Sequence, residues 1–394
     1  MPDALITAES HKAALERVVD GELDPGNEFP DQLARGMLAS VMDPLALQPI
    51  RMIDARGDPL AVADPTAVRA LRDTVFGKFT PVLRAVLPIA DGVARSWLRR
   101  SASPYLAELD LMAARTRVAG IYAINISYEY GCTTLAGADG AERAPTLRRT
   151  LDWPFLGLGR AAVVAWRAGP AGEFFDITWP GAVGTLTAIA PGRFAAALNQ
   201  APLLRSTHSE GMRVVDYARN LTRTLMRERG MPPLHLLRYV FETAPSFAQA
   251  LENLTKVELA RPALFTLIGC NPDEMAVVER RERDATIYLG AGSVANDWRQ
   301  PRTGWEPRPC ALADRRLDNE TRCATIAESA MRLPEPFGWV VPPVRNWNTR
   351  LAVEMNAGEG WMRVLGFEPC NSLDAAPVTL PFQLTQAELE NAAA

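Results

Sequence analysis

Hydrophobic and polar residues alternate over short stretches in the middle of the chain, which is the pattern of β-strands. Two such stretches, YEYGCTTLAG and LRRTLDWPF, flank a polar loop rich in glycine and alanine. We therefore predict a β-hairpin over residues 128–155. Its pairing would bring Arg149 and Asp152 back beside Cys132, so that a thiol, a guanidinium group and a carboxylate share one pocket.

Further strand patterns follow the hairpin, each bounded by glycine or proline. They read AAVVAWRA, EFFDITWP, GTLTAIA and GRFAAALNQA, and then, after a helical block, ALFTLIGC, EMAVVERR and ATIYLGAG. Upstream, LQPIRMIDA is a strand that could join a sheet formed later in the chain. Periodicity alone thus predicts an α+β protein.

Apolar residues at helical spacing predict helices on both sides of the hairpin. They cover residues 13–20, 31–39, 67–79 and 81–100 before it, and 216–229, 234–243 and 246–256 after it. Ser246 is a suitable N-cap, and Pro88 would kink the helix over 81–100. The apolar face of that helix either packs on the core, which we favour, or faces a membrane.

Composition places the chain among ordinary globular proteins. Its 394 residues are 48% hydrophobic and 22% charged, with a net charge of −4. This charge gives no sign of nucleic-acid binding, and no run of 18 apolar residues predicts a membrane span. The first 22 residues lack the pattern of a secretory leader. We expect a cytoplasmic protein with no nucleic-acid partner and at most peripheral membrane contact.

Metal and cofactor motifs are missing from the sequence. The cysteines form no CxxC pair, which argues against a structural zinc site, and the three histidines offer neither a Cys–His dyad nor metal spacing. No GxSxG and no phosphate-binding GxxxxGK[ST] motif occurs. We therefore expect no metal and no cofactor.

Cys132 directly follows Gly131, and this pair suits a chain that cuts itself. The thiol would attack the preceding carbonyl, and water would hydrolyse the thioester. Gly131 lacks a Cβ and so tolerates strained backbone geometry. The freed α-amine of Cys132, with an ordinary pKa of about 7.7–8.0, could then act as general base for its own thiol. A buried structural cysteine is the alternative interpretation of the local sequence.

The same stretch resembles a known family. YEYGCTTLAG with RRTLDWPF is similar to the start of the β-subunit in acid ceramidase and N-acylethanolamine-hydrolysing acid amidase. These are N-terminal-nucleophile cysteine hydrolases, related to choloylglycine hydrolases and penicillin V acylases. The likeness extends over about residues 48–365, through SPYLAELDLMAARTRVAGIYAINISYEYG, WPGAVGTLTAIAPGRFAAALNQAP, RYVFETAPSFAQALENLTKVELARPALFTLIGCNPDEMAVVER, SVANDW and ADRR.

The resemblance implies a four-layer αββα sandwich preceded by a mostly helical segment. Self-cleavage would separate that segment, residues 1–131, from a catalytic domain of residues 132–394. The family's lysosomal members join their two subunits by a disulfide, but residues 1–131 contain no cysteine. The two fragments would therefore stay associated non-covalently, which agrees with a reducing cytoplasm.

The resemblance also assigns roles within the hairpin. Cys132 would be the nucleophile and, through its freed amine, the general base. Arg149 would lie beside the thiolate, whose pKa a cation lowers, and Asp152 would orient the α-amine. Arg148 competes with Arg149, but the spacing to Asp152 favours Arg149. One residue more separates Cys132 from Arg149 than in the family.

Three more residues receive catalytic roles on the same basis. Asn271 would donate its side-chain amide to an oxyanion, or would only begin a turn before Pro272. Gln200 stands where the lipid amidases have a glutamate, although its backbone N–H could still serve the oxyanion. Arg280, with Arg281 as its competitor, resembles a second active-site arginine.

The implied reaction is hydrolysis of the linear amide of an N-acylated small molecule, such as a lipid-like N-acyl amide, through an acyl-thioester. Trp153, Phe155, Trp179 and Asn199 would line the substrate pocket. An acyltransferase is the alternative, because Gly-Cys-Thr-Thr also occurs at the processing site of isopenicillin N acyltransferase. A binding protein without catalytic activity is the third interpretation.

Overall fold

The computed structural model describes residues 47–76, 80–126, 130–139, 144–207, 209–332 and 335–385. The helices predicted over residues 13–20 and 31–39 lie outside this part of the chain. The described strands, in chain order, are β1 (Gln48–Pro49), β2 (Arg51–Asp54), β3 (Gly131–Asp139), β4 (Ala144–Asp152), β5 (Val163–Gly169), β6 (Gly172–Thr178), β7 (Thr187–Ala190), β8 (Phe194–Gln200), β9 (Leu203–Leu204), β10 (Ala263–Ile268), β11 (Met275–Arg280), β12 (Ala285–Leu289), β13 (Gly292–Val294), β14 (Trp305–Glu306), β15 (Thr349–Asn356), β16 (Trp361–Pro369), β17 (Ala375–Pro377), β18 (Thr379–Leu380) and β19 (Phe382–Leu384).

The described helices separate and cover these strands. In chain order they are α1 (Pro65–Phe76), α2 (Thr80–Leu98), α3 (Leu106–Thr116), α4 (Ile121–Asn125), α5 (Leu158–Ala161), α6 (Arg213–Arg227), α7 (Pro233–Thr243), α8 (Phe247–Lys256) and α9 (Arg315–Arg332). Ser246 caps α8 as predicted, since its hydroxyl accepts a hydrogen bond from the Gln249 N–H.

Two large sheets form the centre of the described chain. One has eight strands in the order β12-β11-β10-β8-β7-β6-β5-β2, and the other runs β13-β3-β4-β15-β16-β17, with β19 also pairing with β16. Neighbouring strands are antiparallel, except that β2 pairs in parallel with β5 at an edge. The predicted strand in LQPIRMIDA does join a sheet formed later in the chain.

The layers follow the order helix, sheet, sheet, helix. Helices α7 and α8 cover the outer face of the eight-stranded sheet, while α9 packs on β3 and β13 and α5 packs on β16. The inner faces of the two sheets meet through β3 and β4 on one side and β8 and β10 on the other. This is the predicted αββα sandwich.

The predicted hairpin is present and lies in the buried centre. Strands β3 and β4 pair in antiparallel register from Gly131 opposite Asp152 to Asp139 opposite Ala144. Cys132, Leu151 and Leu198 all belong to the largest apolar core. The Cys132 thiol on β3 is therefore held between two sheets.

Helices α1 to α4 precede the hairpin and form a second apolar cluster. The predicted apolar face of α2 is split: Trp97 is buried, but Val86, Ile89 and Val93 are 49%, 69% and 47% exposed. The helix continues through Pro88. None of the helices described in the structure is long and apolar enough to cross a membrane.

Candidate active site

The hairpin register decides which side chains can meet. Gly131 lies opposite Asp152, Cys132 opposite Leu151, and Thr134 opposite Arg149. Side chains alternate between the two faces of a strand. Cys132 and Arg149 therefore share the face toward the eight-stranded sheet, and Asp152 points to the face covered by α9.

On the inner face, the Arg149 guanidinium contacts the thiol. Its Nη2 lies 2.7 Å from Cys132 Sγ and 2.8 Å from the Leu198 carbonyl oxygen. Its Nη1 donates to the Leu186 carbonyl at 2.7 Å and also to the Thr187 hydroxyl. Three bonds to the opposite sheet fix the cation at the sulfur.

On the outer face, Asp152 faces the residue that precedes Cys132. Its Oδ1 accepts a hydrogen bond from the Thr349 hydroxyl at 2.8 Å. Its Oδ2 accepts none from the described residues, and Arg322 Nη1 lies 3.9 Å away. A Cβ at Gly131 would lie 2.1 Å from Cys310 Sγ, so the Cys310 thiol packs directly on the glycine.

Asn296 holds the backbone nitrogen of Cys132. Its Oδ1 accepts the Cys132 N–H at 2.8 Å, and its Nδ2 donates to the Gln200 carbonyl at 2.9 Å. Asn319 fixes Asn296 in turn, since Asn319 Oδ1 accepts the Asn296 N–H at 2.6 Å. Sequence reasoning gave Asn296 no role, although the SVANDW segment that contains it was among the family landmarks.

Arg322 on α9 binds β3 from the outer face of the sheet. Its Nη1 donates to the Cys132 carbonyl at 2.7 Å and to the Thr133 hydroxyl at 2.8 Å. Its Nε pairs with Asp318 at 2.9 Å, and both side chains are fully buried. Sequence reasoning missed this arginine, and nothing in the local sequence marks a residue that acts 190 positions away on a polar helix.

Burial governs the electrostatics of the uncleaved site. It raises the pKa of the Cys132 thiol above its usual value, and Arg149 only partly opposes this. Burial likewise raises the pKa of Asp152, against the effect of Arg322. Arg149 does act to lower the thiol pKa, as predicted, but burial raises it by more. The pKa of the Cys132 thiol in the uncleaved chain is therefore above its usual value.

Gln200 and Asn199 lie at the site on β8. Gln200 Oε1 accepts the Tyr130 N–H at 2.8 Å, so it positions the strand just before the Gly131–Cys132 bond. Asn199 Oδ1 accepts the Thr134 hydroxyl at 2.7 Å, and Asn199 Nδ2 donates to the Val294 and Ala295 carbonyls. Asn199 is buried and joins the two sheets, and it also lines a cleft beside the site, so its expected role in lining the substrate pocket stays a prediction.

Asn271 does not reach the site. Ala263 at one end of β10 pairs with Gln200, whereas Ile268 at the other end pairs with Ala195. Five residues span about 17 Å along a strand, and Asn271 follows three positions later. It is exposed in the turn to β11, where its N–H donates to Glu274. Its assignment to the oxyanion was wrong, because the length of β10 separates it from Cys132. Asn271 instead has the alternative role given in the sequence analysis, that of starting a turn before proline.

Arg280 is also separate from the thiol. It donates to the Val257 carbonyl at 2.7 Å and to the Leu254 carbonyl, at the end of α8. Helix α8 covers the outer face of the sheet, so the side chain points away from Cys132. The arginine thus completes the C-terminus of a helix, and its assignment as a second active-site arginine was wrong.

The three predicted substrate-binding aromatics cluster together with Tyr130. The ring of Trp153 lies 5.6 Å from Tyr130, 6.2 Å from Phe155 and 5.7 Å from Trp179, measured between centroids. All four rings pack in or against the core that contains Cys132. Within the described residues, no group of three His, Cys, Asp or Glu side chains could hold a metal.

Comparison with known proteins gives distant structural likenesses. No family model and no curated protein matches the chain. A Caenorhabditis elegans orthologue of N-acylethanolamine-hydrolysing acid amidase is 17% identical, covering 58% of this chain and 93% of its own, with a TM-score of 0.44. Penicillin V acylase from Agrobacterium tumefaciens is 12% identical, covering 65% and 87%, with a TM-score of 0.38.

A conjugated bile acid hydrolase from Clostridium perfringens, as a mutant, is 9% identical, covering 64% of this chain and 96% of its own, with a TM-score of 0.34. These are the kinds of protein that the sequence motifs resemble. At such low identities and TM-scores, it is the geometry around Cys132 that has to support a function.

Proposed function

We propose that this protein is a self-processing amidase whose N-terminal cysteine hydrolyses the linear amide of a lipid-like N-acylated small molecule. One observation carries the proposal. Cys132 Sγ contacts a guanidinium group at 2.7 Å, while the nitrogen of the same residue is held at 2.8 Å by Asn296. Nucleophile and future amine are thus positioned separately, as an N-terminal nucleophile requires.

The first reaction is self-cleavage. Cys132 Sγ attacks the Gly131 carbonyl carbon, the Gly131–Cys132 C–N bond breaks, and the thiol proton ends on the departing nitrogen. Water then hydrolyses the thioester, which leaves a carboxylate on Gly131 and a free thiol on Cys132. Arg149 stabilises the thiolate during attack, and Arg322 and Asn296 hold the strand in place.

The second reaction is turnover of the substrate. The α-amine of Cys132 takes the Sγ proton, and the thiolate forms an acyl-thioester with the substrate's acyl group. The resulting α-ammonium protonates the leaving amine, and the amine then activates water to release the acid. Asp152 would orient the α-ammonium of Cys132, because it lies opposite Gly131 across the hairpin and an ammonium beside it would stabilise its charged form.

An apolar acyl chain fits the surroundings of the thiol. The cluster of Tyr130, Trp153, Phe155 and Trp179 adjoins the apolar core that holds Cys132. Burial of a methylene group contributes about 0.8 kcal/mol, so each carbon added to the chain should raise kcat/KM several-fold until the pocket is filled.

The decisive experiment is the intact mass of the purified protein combined with an amide screen. A cut after Gly131 divides the 394 residues and 43.1 kDa into pieces of 131 and 263 residues, about 14 and about 29 kDa in proportion to length. We expect both pieces in wild-type protein and a single inactive chain in Cys132→Ala. An active protein that remains one 43 kDa chain would refute the proposal.

The screen uses N-acyl amides of increasing chain length, with and without an acceptor amine. We expect hydrolysis in the absence of acceptor and a kcat/KM that rises with chain length. Product that forms only with the acceptor would identify an acyltransferase, and a flat chain-length series would refute the lipid-like substrate.

A further inference from the structure

Asp318 is a buried carboxylate that the two proposed reactions leave without a role. It lies in the first turn of α9 and is fully buried. Its Oδ1 accepts the backbone N–H groups of Ala311 at 2.8 Å and Leu312 at 2.7 Å. Its Oδ2 accepts the Cys310 N–H at 3.1 Å and the Arg322 Nε–H at 2.9 Å. These four hydrogen bonds join three consecutive loop residues and a buried cation to one carboxylate.

The loop that Asp318 binds packs against one side of the Gly131–Cys132 bond. A Cβ on Gly131 would lie 2.1 Å from Cys310 Sγ, so the thiol is in contact with the glycine. The Cys310 carbonyl accepts a hydrogen bond from Asn348 Nδ2 at 3.2 Å. Because its N–H is bound by Asp318 and its carbonyl by Asn348, the backbone of Cys310 is fixed at both ends. Asp318 thus helps to set where the thiol meets Gly131.

The arginine that Asp318 binds holds the other side of the same bond. Arg322 Nη1 donates to the Cys132 carbonyl at 2.7 Å and to the Thr133 hydroxyl at 2.8 Å. Its Nη2 donates to Asn319 Oδ1 at 3.2 Å. Bonds between a guanidinium group and a carboxylate are stronger than bonds to neutral acceptors. Asp318 therefore fixes the orientation in which Arg322 meets β3.

One carboxylate is thus connected to both residues of the scissile bond. Displacement of reacting groups by about 1 Å slows a reaction on the order of 10²-fold. We propose that Asp318 is a positioning residue for self-cleavage. It places the scissile glycine through Cys310 and the Cys132 carbonyl through Arg322. This inference rests on the proposed function and adds to it a residue that acts through other side chains.

Asp318→Asn tests the proposal because asparagine has nearly the shape of aspartate. Its Oδ1 can still accept two loop N–H groups, whereas its Nδ2 would face two donors, the Cys310 N–H and the Arg322 Nε–H. We expect self-cleavage to slow by about 10²-fold, measured as the disappearance of the 43.1 kDa chain on denaturing gels. Cleavage as fast as in wild type would overturn the proposal.

Glu328→Gln is the matched control for this substitution. Glu328 lies on the same helix but forms an ion pair with Arg332 at the surface, at 2.6 Å. Exposed pairs contribute little to stability, so this variant should cleave at the wild-type rate.

A double variant separates positioning from a merely structural role. In Asp318→Asn, Arg322 loses its carboxylate partner, and a buried charge without its partner destabilises a fold. Asp318→Asn/Arg322→Gln removes both charges. Its unfolding midpoint should return toward that of wild type, while self-cleavage stays slow because Arg322 no longer holds the strand. If midpoint and rate both returned, Asp318 would have only a structural role.

Turnover by protein that has completed its cut gives a second test, with N-decanoylethanolamine as the substrate. After the cut, the contact of Cys310 with Gly131 no longer affects the chemistry, but Arg322 still holds the Cys132 carbonyl. Asp318→Asn should therefore lose less in kcat than in the rate of self-cleavage, with KM unchanged. Equal losses in the two rates, or a raised KM, would overturn the proposal.

Hydrogen–deuterium exchange in uncut Cys132→Ala protein requires neither cleavage nor turnover. Adding Asp318→Asn should accelerate exchange in two segments together, residues 310–312 and residues 131–134, because one carboxylate holds both. Joint acceleration in a protein whose wild type never cuts itself would refute the proposed function but support this coupling. Faster exchange in residues 310–312 alone would overturn the coupling while the amidase function stands.

Discussion

Cys132 is held from two sides of its strand. Arg149 reaches the sulfur from the gap between the sheets, whereas Asn296 and Arg322 bind the backbone on either side of the Cys132 Cα. Because these contacts come from different elements, the thiol and the nitrogen can be perturbed independently. Substitutions can therefore separate the function of each.

Asn296 and Asn271 form a matched pair for such a test. We expect Asn296→Ala to slow self-cleavage and turnover by about 10²-fold, because the Cys132 nitrogen loses its acceptor and misplaced groups react slowly. Asn271→Ala should leave both rates unchanged, since this residue is exposed in a distant turn. Cleavage time courses on denaturing gels and amide hydrolysis measure both. The reverse result would restore the role that the sequence suggested for Asn271.

The pH dependence of self-cleavage follows from the raised pKa of the Cys132 thiol. The thiolate is the attacking form, and its fraction grows with pH until the pKa is passed. Because burial moves that pKa above its usual value, the rate should still be rising at about pH 9. Time courses of uncleaved protein from about pH 6 to about pH 10 test this, with Cys132→Ser as the control whose hydroxyl does not titrate in this range. A plateau below about pH 8 would contradict it.

At the scale of elements, the hairpin and the strands of the eight-stranded sheet were predictable, whereas helices α3, α4, α5 and α9 and strands β9 and β13 to β19 were not. The predicted strands have clear alternation or apolar runs between glycines, so their periodicity was sufficient. Helix α9 was not predicted because most of its buried positions are polar, among them Asp318, Asn319 and Arg322, so that Ile326 and Ala330 give only a short apolar stripe. The same polar residues form the outer side of the candidate site. Because they occupy buried positions, the sequence lacks the hydrophobic periodicity by which a helix is predicted.

The contact between β3 and the segment before α9 predicts a dependence on side-chain size. Gly131→Ala should slow self-cleavage, because its Cβ would lie 2.1 Å from Cys310 Sγ and overpacking costs about 1–3 kcal/mol. Removal of the sulfur should relieve the clash. The double variant Gly131→Ala/Cys310→Ala should therefore cleave faster than Gly131→Ala.

Cys310→Ala alone is the control for that experiment. The next nearest atoms to the added Cβ are Asp152 Cβ at 3.4 Å and Asn296 Oδ1 at 3.6 Å, which are ordinary contacts. If the double variant were as slow as Gly131→Ala, the thiol would not be the cause. Gel time courses of the four proteins, wild type included, decide between these outcomes.

At the scale of the whole molecule, buried polar contacts join the helices before Cys132 to the sandwich. Arg238 pairs with Glu108 at 2.8 Å, and Ser103 Oγ lies 2.7 Å from His235 Nδ1. Asn125 bonds to Gly181 and Val183. Together with the apolar cluster of α1 to α4, these contacts should keep both pieces together after the cut.

We expect the two pieces of wild-type protein to co-elute in native size-exclusion chromatography. Arg238→Ala should weaken their association and lower the unfolding free energy by about 1–3 kcal/mol, because the partly buried carboxylates of Glu108 and Glu242 lose their guanidinium partner. Arg281→Ala removes an exposed pair with Asp284 and should change stability by less than about 0.5 kcal/mol. Separate elution of the wild-type pieces would refute this account of the interface.

The position of β2 implies that folding would have to precede the proposed self-cleavage. Arg51–Asp54 closes the open edge of β5, and a cut after Gly131 would make it a strand donated by another polypeptide. A covalent tether raises the effective concentration of this short strand, so β2 would pair with β5 most readily while the chain is uncut. Residues 132–394 produced alone would expose a bare β5 template, and strand-to-strand aggregation is the expected fate of such an edge.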